Sequence, residues 1–275
     1  MKHCYALATP DLPLKAHVFG LNGDFSENLR QIKDCGYDGA DFVTCNPGKL
    51  EQHLLAKQVE QLDFIVPMIC TGEIVKQEGL ELASPDPAVR EATVQRFYAL
   101  IDFASLVGAG VNIGRSRGCI HEGYSREQTD VFALESFEKI TAYAEQHHVL
   151  LALEPVTRKM INYLNTLDEV LTLTGKIGSP NFGYMLGSQH MVLDEPDLEK
   201  TILQSAKNAL HIHLVDDNRG PVGTGKIGFD QLIGLIHASG YQGTFSHECS
   251  APGFELRAMR ESMKYMQPIL SRYYR

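Results

Sequence analysis

The sequence predicts an α/β chain folded as a single (β/α)₈ barrel over residues 1–275. Three observations predict it. Short β-branched runs alternate with longer stretches of helical period, the pattern of βα units around a parallel sheet. Eight runs and eight helical stretches are present, one helix to each strand. The 275 residues also suit one barrel, which needs roughly 250.

The expected strands are Cys4–Thr9, Gly39–Thr44, Phe64–Cys70, Gly110–Gly114, Val149–Pro155, Gly183–Gly187, Leu210–Asp216 and Gly243–Glu248. The expected helices between and after them cover 25–35, 48–62, 86–107, 126–147, 167–177, 197–208, 229–239 and 254–273. Two helix starts carry capping boxes, Ser125-x-x-Gln128 and Thr166-x-x-Glu169, with a hydroxyl acceptor at the cap and a longer polar side chain three residues on. Helix stops are marked by Gly36, Gly108 and Gly240, each shortly before the next strand. Gly36-Tyr37-Asp38-Gly39 and Gly240-Tyr241-Gln242-Gly243 recur as αβ turns at opposite ends of the chain, which suits a repeated unit. A doubly wound sheet would normally place a glycine-rich phosphate loop after strand one. Thr9-Pro10-Asp11-Leu12-Pro13 stands there instead, and Gly220-Pro221-Val222-Gly223-Thr224-Gly225-Lys226 lacks the spacing of a nucleotide loop, so closure into a barrel is favoured.

An apolar fraction of 44% against 21% charged residues supports a packed core rather than disorder. The net charge of −9 repels a phosphate backbone, which excludes nucleic acid as a natural partner. No segment reaches about 18 uncharged apolar residues, and Met1–Leu7 has no secretory apolar core, so no membrane partner and a cytoplasmic location are expected. The six cysteines form no C-x-x-C pair and read as buried reduced thiols, Cys249 standing apart because it follows Glu248.

In a parallel barrel the functional side chains gather at the C-terminal ends of the strands. There, strand five closes on Glu154, strand six on Gly187-Ser188-Gln189-His190, strand seven carries His211-Ile212-His213, and strand eight closes on Glu248. Period 2 puts His211 and His213 on one side of their strand. Glu154, His213 and Glu248 make an oxygen–nitrogen–oxygen set without thiolate, which suits Mn²⁺, Mg²⁺ or Co²⁺ and admits Zn²⁺. Asp216 and Asp217 read as turn formers. His147 and His148, before strand five, read as structural.

In order and spacing, Leu153-Glu154-Pro155 with Arg158, Ser188-x-His190, His211-x-His213 with Arg219, Gly223-x-Gly225-x-Ile227-x-Phe229 and the stretch from Gly240 to Glu248 resemble the xylose isomerase-like TIM barrel superfamily, in its sugar (phosphate) isomerase/epimerase branch. The resemblance implies a divalent ion, Mn²⁺ first, held by Glu154, His213 and Glu248. It implies Glu154 and Glu248 as the catalytic acid/base pair, and His190 and Arg219 as residues binding a small carbohydrate. It implies proton transfer beside a carbonyl through an enediolate, and pairing of such barrels into homo-oligomers. Two positions depart from the pattern. Gly187 stands where the branch has a ligand aspartate, leaving Ser188 or Gln189 to reach in, and Met160 stands where ketose epimerases carry a glutamate. A vacant ligand position would suit a substrate bringing its own carboxylate. Gly187 also gives weight to two alternatives, a lyase built on the same enolate (a dehydratase or keto-acid decarboxylase) and a barrel that binds sugar without turnover.

Overall fold

The structure, a computed structural model, describes residues 1–274. Parallel strands β1 (Lys2–Ala8), β2 (Gly39–Val43), β3 (Met68–Cys70), β4 (Gly110–Ile113), β5 (Leu151–Leu153), β6 (Phe182–Tyr184), β7 (Leu186–Gly187), β8 (Ile212–Leu214) and β9 (Thr244–His247) run in the order β6-β5-β4-β3-β2-β1-β9-β8-β7. β6 and β7 are two halves of one barrel strand, kinked at Met185. The Met185 N–H donates to Leu153 O (3.1 Å) on one side, and the Leu186 N–H donates to His211 O (3.1 Å) on the other. Eight strand positions therefore make a parallel barrel that closes at this kink. Val111, Leu151, Leu153, Ile212 and Phe245 are fully buried, as expected of strands covered on both faces.

The outer layer is built from α1 (Phe25–Asp34), α2 (Gln52–Gln61), α3 (Gly72–Glu78), α4 (Pro87–Val107), α5 (Arg126–Gln146), α6 (Leu167–Ile177), α7 (Ser188–Asp194), α8 (Leu198–Ser205), α9 (Phe229–Ala238) and α10 (Glu255–Tyr273). The box at Ser125 forms with Gln128, and the Thr166 N–H donates to Glu169. Gly108 and Gly240 end their helices with left-handed φ of +71° and +87°.

The differences from the sequence expectation have local causes. Only Met68–Cys70 of the third run joins the ladder, because Pro67 has no N–H to give. Ahead of it, Ile65 makes a single bridge to Gly39, where a Cβ would stand 2.0 Å from Ile65 O. The second helix starts at Gln52 rather than 48, because Asn46 and Pro47 first build a 3₁₀ turn over Pro47–Lys49. α3 and α7 are additional helices of seven residues each, two turns being too few for a helical period to stand out from a short strand-like run in the sequence.

Behind the barrel wall, between β1 and β9, His3 and His247 meet with their Nε2 atoms 2.5 Å apart, both buried. One ring must donate and the other accept. Burial depresses both, His3 to about 4 against a nearby raising influence from Asp38, and His247 further. Their folded values lie below the unfolded value of about 6.5, so the native state refuses protons that the unfolded chain takes up. Stability is thus complete above that value and falls between it and about 4. His3 alone is expected to remove about 2 kcal/mol on going from pH 7.5 to pH 5.0. Urea unfolding at the two pH values checks this, and a loss below about 0.5 kcal/mol would mean the pair is solvated.

Candidate active site

Glu154 follows β5, His213 is central in β8 and Glu248 follows β9, so three elements aim them into the C-terminal mouth. His213 Nδ1 lies 3.5 Å from Glu154 Oε1 and 3.5 Å from Glu248 Oε2. On the far edge of the ring, His213 Nε2 lies 3.2 Å from Asp41 Oδ2, an acceptor, which assigns the ring proton to Nε2. Nδ1 then offers a lone pair to two carboxylate oxygens. His213 Nδ1 and Glu154 Oε1 are buried with no hydrogen-bond partner among the described residues. Two buried acceptors without a donor, facing a third that has one only from Arg219, favour a positive charge between them, because orphaned buried acceptors are costly otherwise.

The electrostatics agree. Burial opposes protonation of His213, yet the charge of Glu248, followed by the hydrogen bond to Asp41 and the nearness of Cys70 and Glu154, holds its pKa well above the ordinary value. Burial would raise Glu154, but His213, His190 and Asn112 outweigh it and keep the carboxyl ionised far below its usual range. Glu248 is likewise lowered against burial, by Arg219 and then His213. With no ion, a proton on His213 serves as the cation; a divalent ion fits the same place with oxygen and nitrogen donors. Mild dialysis of the Mn²⁺-loaded protein is expected to leave about one ion on the wild type and to strip His213→Ala, which loses the one nitrogen of this set. Equal retention, read by elemental analysis, would misplace the site.

Asp41 and His211 were not among the predicted ligands. Asp41 Oδ2 receives both His211 Nε2 (3.0 Å) and His213 Nε2 (3.2 Å), and Oδ1 accepts from the Met68 N–H. Asp41, His211 and His213 are all buried and their ligand atoms lie within 4.8 Å of one another, so they too form a possible metal group. His211 is already bonded at both nitrogens, to Asp41 and to Thr244 Oγ1 (2.6 Å). The cluster therefore reads as the frame that orients His213. Asn112, on β4, was also missed; its Nδ2 donates to Glu154 Oε2 at 3.1 Å.

His190 and Arg219 stand in the same cleft, which is also lined by Phe19, Arg115 and Met160. The Thr157 N–H donates to His190 Nδ1 (3.2 Å), so His190 presents Nε2–H to the cleft. Burial lowers its pKa to about 4, against the raising pull of Glu154, so the ring is a neutral donor. Arg219 donates to Glu248 Oε2 (2.6 Å) and Gln189 Oε1 (3.1 Å), lies 4.0 Å over the Phe19 ring, and has a left-handed φ of +62°. Its Nε is buried and has no partner among the described residues. The backbone here is shaped by Asp216, which accepts from the N–H groups of Gly223, Gly225 and Ile227. That is the turn-forming role expected of it.

Neither Ser188 nor Gln189 reaches the ion position. Ser188 Oγ is engaged by Val215, and Gln189 bridges Asp217 O and Arg219. Gly187 does face it. A Cβ there would stand 2.9 Å from Glu154 Oε1 and 2.9 Å from His190 Cδ2, so those two groups occupy the room of the absent side chain. Among the described residues, no helix is long and apolar enough to cross a membrane.

The chain is 26% identical to the hydroxypyruvate isomerase of Escherichia coli (strain K12) over 226 residues, 80% of this chain and 85% of that one. It is 23% identical to a ketose 3-epimerase of Arthrobacter globiformis over 233 residues, 82% of this chain and 79% of the other. Its fold superposes with a TM-score of 0.79 on the IOLI protein with a binding zinc atom, at 16% identity, covering 100% of this chain and 99% of that one. The model of the family described as xylose isomerase-like TIM barrel matches residues 29–269. With the parallel barrel and the match over most of its length, the chain belongs to the xylose isomerase-like TIM barrel family.

Proposed function

We propose that this protein is a divalent-metal-dependent isomerase or epimerase of a small keto-sugar or sugar acid, working by proton transfer between Glu154 and Glu248. The observation that carries this reading is the unpaired set of buried acceptors, Glu154 Oε1 and His213 Nδ1, facing Glu248 Oε2. The naming of relatives as ketose epimerases and a hydroxypyruvate isomerase supports the substrate class, and the bound zinc of a structural neighbour supports a divalent ion.

When bound to Glu154, His213 and Glu248, the ion supplies electrostatic stabilisation of the charge that develops on the substrate carbonyl oxygen. Everything else is asked of the chain. Both carboxylates are ionised at neutral pH and so are poised as bases, though weak ones, which makes placement within reach of the C–H the main source of rate. Asn112 fixes Glu154 and Arg219 fixes Glu248. His190 Nε2–H and the unpaired Arg219 Nε donate to substrate oxygens, and the Arg219 guanidinium favours a substrate carrying a carboxylate. If one carboxylate takes the proton from one face while the other, protonated from solvent, delivers one to the opposite face, the centre is inverted and the first carboxylate gives its proton back to solvent; return of the removed proton by the same carboxylate to the neighbouring carbon isomerises.

The test is incubation in D₂O with Mn²⁺ and a panel of keto-sugars and keto-sugar acids, with products resolved by mass. A product of unchanged composition carrying solvent deuterium is expected. Loss of water or CO₂ would assign the lyase alternative, and no deuterium in any compound would favour a binding protein.

Gly187→Asp probes the missing ligand. The new carboxylate would press on Glu154 Oε1, so the metal-free variant is expected to melt lower than wild type, and Mn²⁺ to bind at least tenfold tighter, about 1.4 kcal/mol. Turnover is expected to fall, because the aspartate fills space next to the substrate. Unchanged metal affinity in the folded variant would show that strand six plays no part in the ion site.

A further inference from the structure

On the rim of the mouth, away from the site above, Glu81, Cys119 and His121 offer one carboxylate oxygen, one thiol sulfur and one imidazole nitrogen, all within 4.8 Å of one another. Their scaffold is held without them. The Leu82 N–H donates to Ser116 O (2.9 Å) and the Ala83 N–H to Arg117 O (3.0 Å), lacing loop 79–84 to loop 114–121. Asn162 clamps Ile120, the residue between Cys119 and His121, by accepting from its N–H (2.9 Å) and donating to its carbonyl (3.0 Å). The loops that carry the three ligands are thus held by backbone hydrogen bonds and the Asn162 clamp, none of which uses the ligand side chains, the preorganisation a metal site requires.

We propose that Glu81, Cys119 and His121 form a second cation site, for Zn²⁺ or an ion of the same borderline class, tying the two loops together at the rim of the active-site cleft. The donor set selects the ion: one sulfur, one nitrogen and one oxygen suit tetrahedral Zn²⁺ with a water in the fourth place, and do not suit Mg²⁺ or Ca²⁺. His121 Nε2 already lies 2.8 Å from Glu81 Oε2, and the pair keeps 37% and 16% of its side-chain surface, so an ion has access. Cys119 is a free thiol, half-buried beside the Glu81 carboxylate, and burial followed by that charge keeps it protonated. A bound cation reverses both influences, and the thiol proton leaves to solvent on binding. The group opens on a groove lined by Arg115 and Met160, and both also line the active-site cleft. An ion here would stiffen the wall through which substrate enters.

The probe is Co²⁺ alone, titrated into reduced, metal-stripped protein. A near-ultraviolet thiolate-to-cobalt charge-transfer band is expected, accounting for one of the two equivalents taken up and displaced by Zn²⁺. Cys119→Ser should lose the band and that equivalent while keeping the equivalent that belongs to Glu154, His213 and Glu248, so failure of either site shows separately. Glu81→Gln should weaken the band-forming equivalent at least tenfold. Both positions are on loops and only partly buried, and unchanged circular dichroism verifies the fold. No band in the reduced wild type, or a band that survives in Cys119→Ser, would overturn the proposal.

Discussion

Glu154→Gln and Glu248→Gln are each expected to lower turnover at least about 1,000-fold, a loss near 4 kcal/mol, and the double variant to be little slower than the worse single one. The amide keeps the size of the side chain and its contact with Asn112 or Arg219, but it cannot accept the substrate proton. The two groups serve one transfer, so once either fails the other has nothing to pass on. Loss of charge from the ion site adds a second effect, separable by measuring rates at saturating Mn²⁺. A single variant keeping more than about a tenth of the wild-type rate, a loss below roughly 1.4 kcal/mol, would remove that residue from the chemistry.

These carboxylates were readable in the sequence for a physical reason. A charge closing an apolar run at the end of a parallel strand is expected to face the mouth, and Glu154 and Glu248 directly follow β5 and β9, while His213, inside β8, was marked by its period-2 pairing with His211. The residues that orient them were not readable in the same way, because they lie inside strands. Asp41 stands between Ala40 and Phe42, and Asn112 between Val111 and Ile113. Each did leave one signal, a polar group amid residues destined for burial, which needs a partner across the barrel. That signal gives no address, since the partner of Asp41 is 170 residues away at His211. The kink at Met185 and helix α7 were illegible because six-residue and seven-residue patterns do not fix a period. The consequence reaches the site: His190 sits on a helix turn rather than at a strand end, and its ring rather than a side chain at Gly187 fills the space beside Glu154.

Arg117→Met is expected to lower the unfolding free energy by about 3–5 kcal/mol, the range for leaving a buried polar network broken. Arg117 is fully buried, an unusual place for a guanidinium. Its donors are used on carbonyls alone: Nε and Nη2 on Tyr163 O (2.9 and 2.7 Å), Nη2 also on Leu164 O (2.9 Å), and Nη1 on Gly114 O (2.7 Å) and Glu154 O (3.1 Å). Burial pulls its pKa down to about 10, and it stays charged at neutral pH. One side chain thereby binds the end of β4, the backbone of Glu154 and a loop whose Leu164 is held at a left-handed φ of +54°. Methionine fills the volume but leaves the carbonyls of Tyr163, Leu164 and Glu154 without these donors, at about 1–3 kcal/mol each before water enters to offset part of it, while Gly114 O keeps the backbone N–H of residue 117. Arg117→Lys keeps the charge, but its single ammonium cannot span the fork, so it should recover no more than about half of the loss. Because the clamp holds the carbonyl of Glu154, the folded fraction of either variant should also turn over more slowly, with Mn²⁺ affinity reduced in parallel. Urea unfolding with a metal titration separates the two effects. A loss under about 1 kcal/mol in Arg117→Met would show that solvent replaces the clamp and that Glu154 is placed by β5 and Asn112 alone.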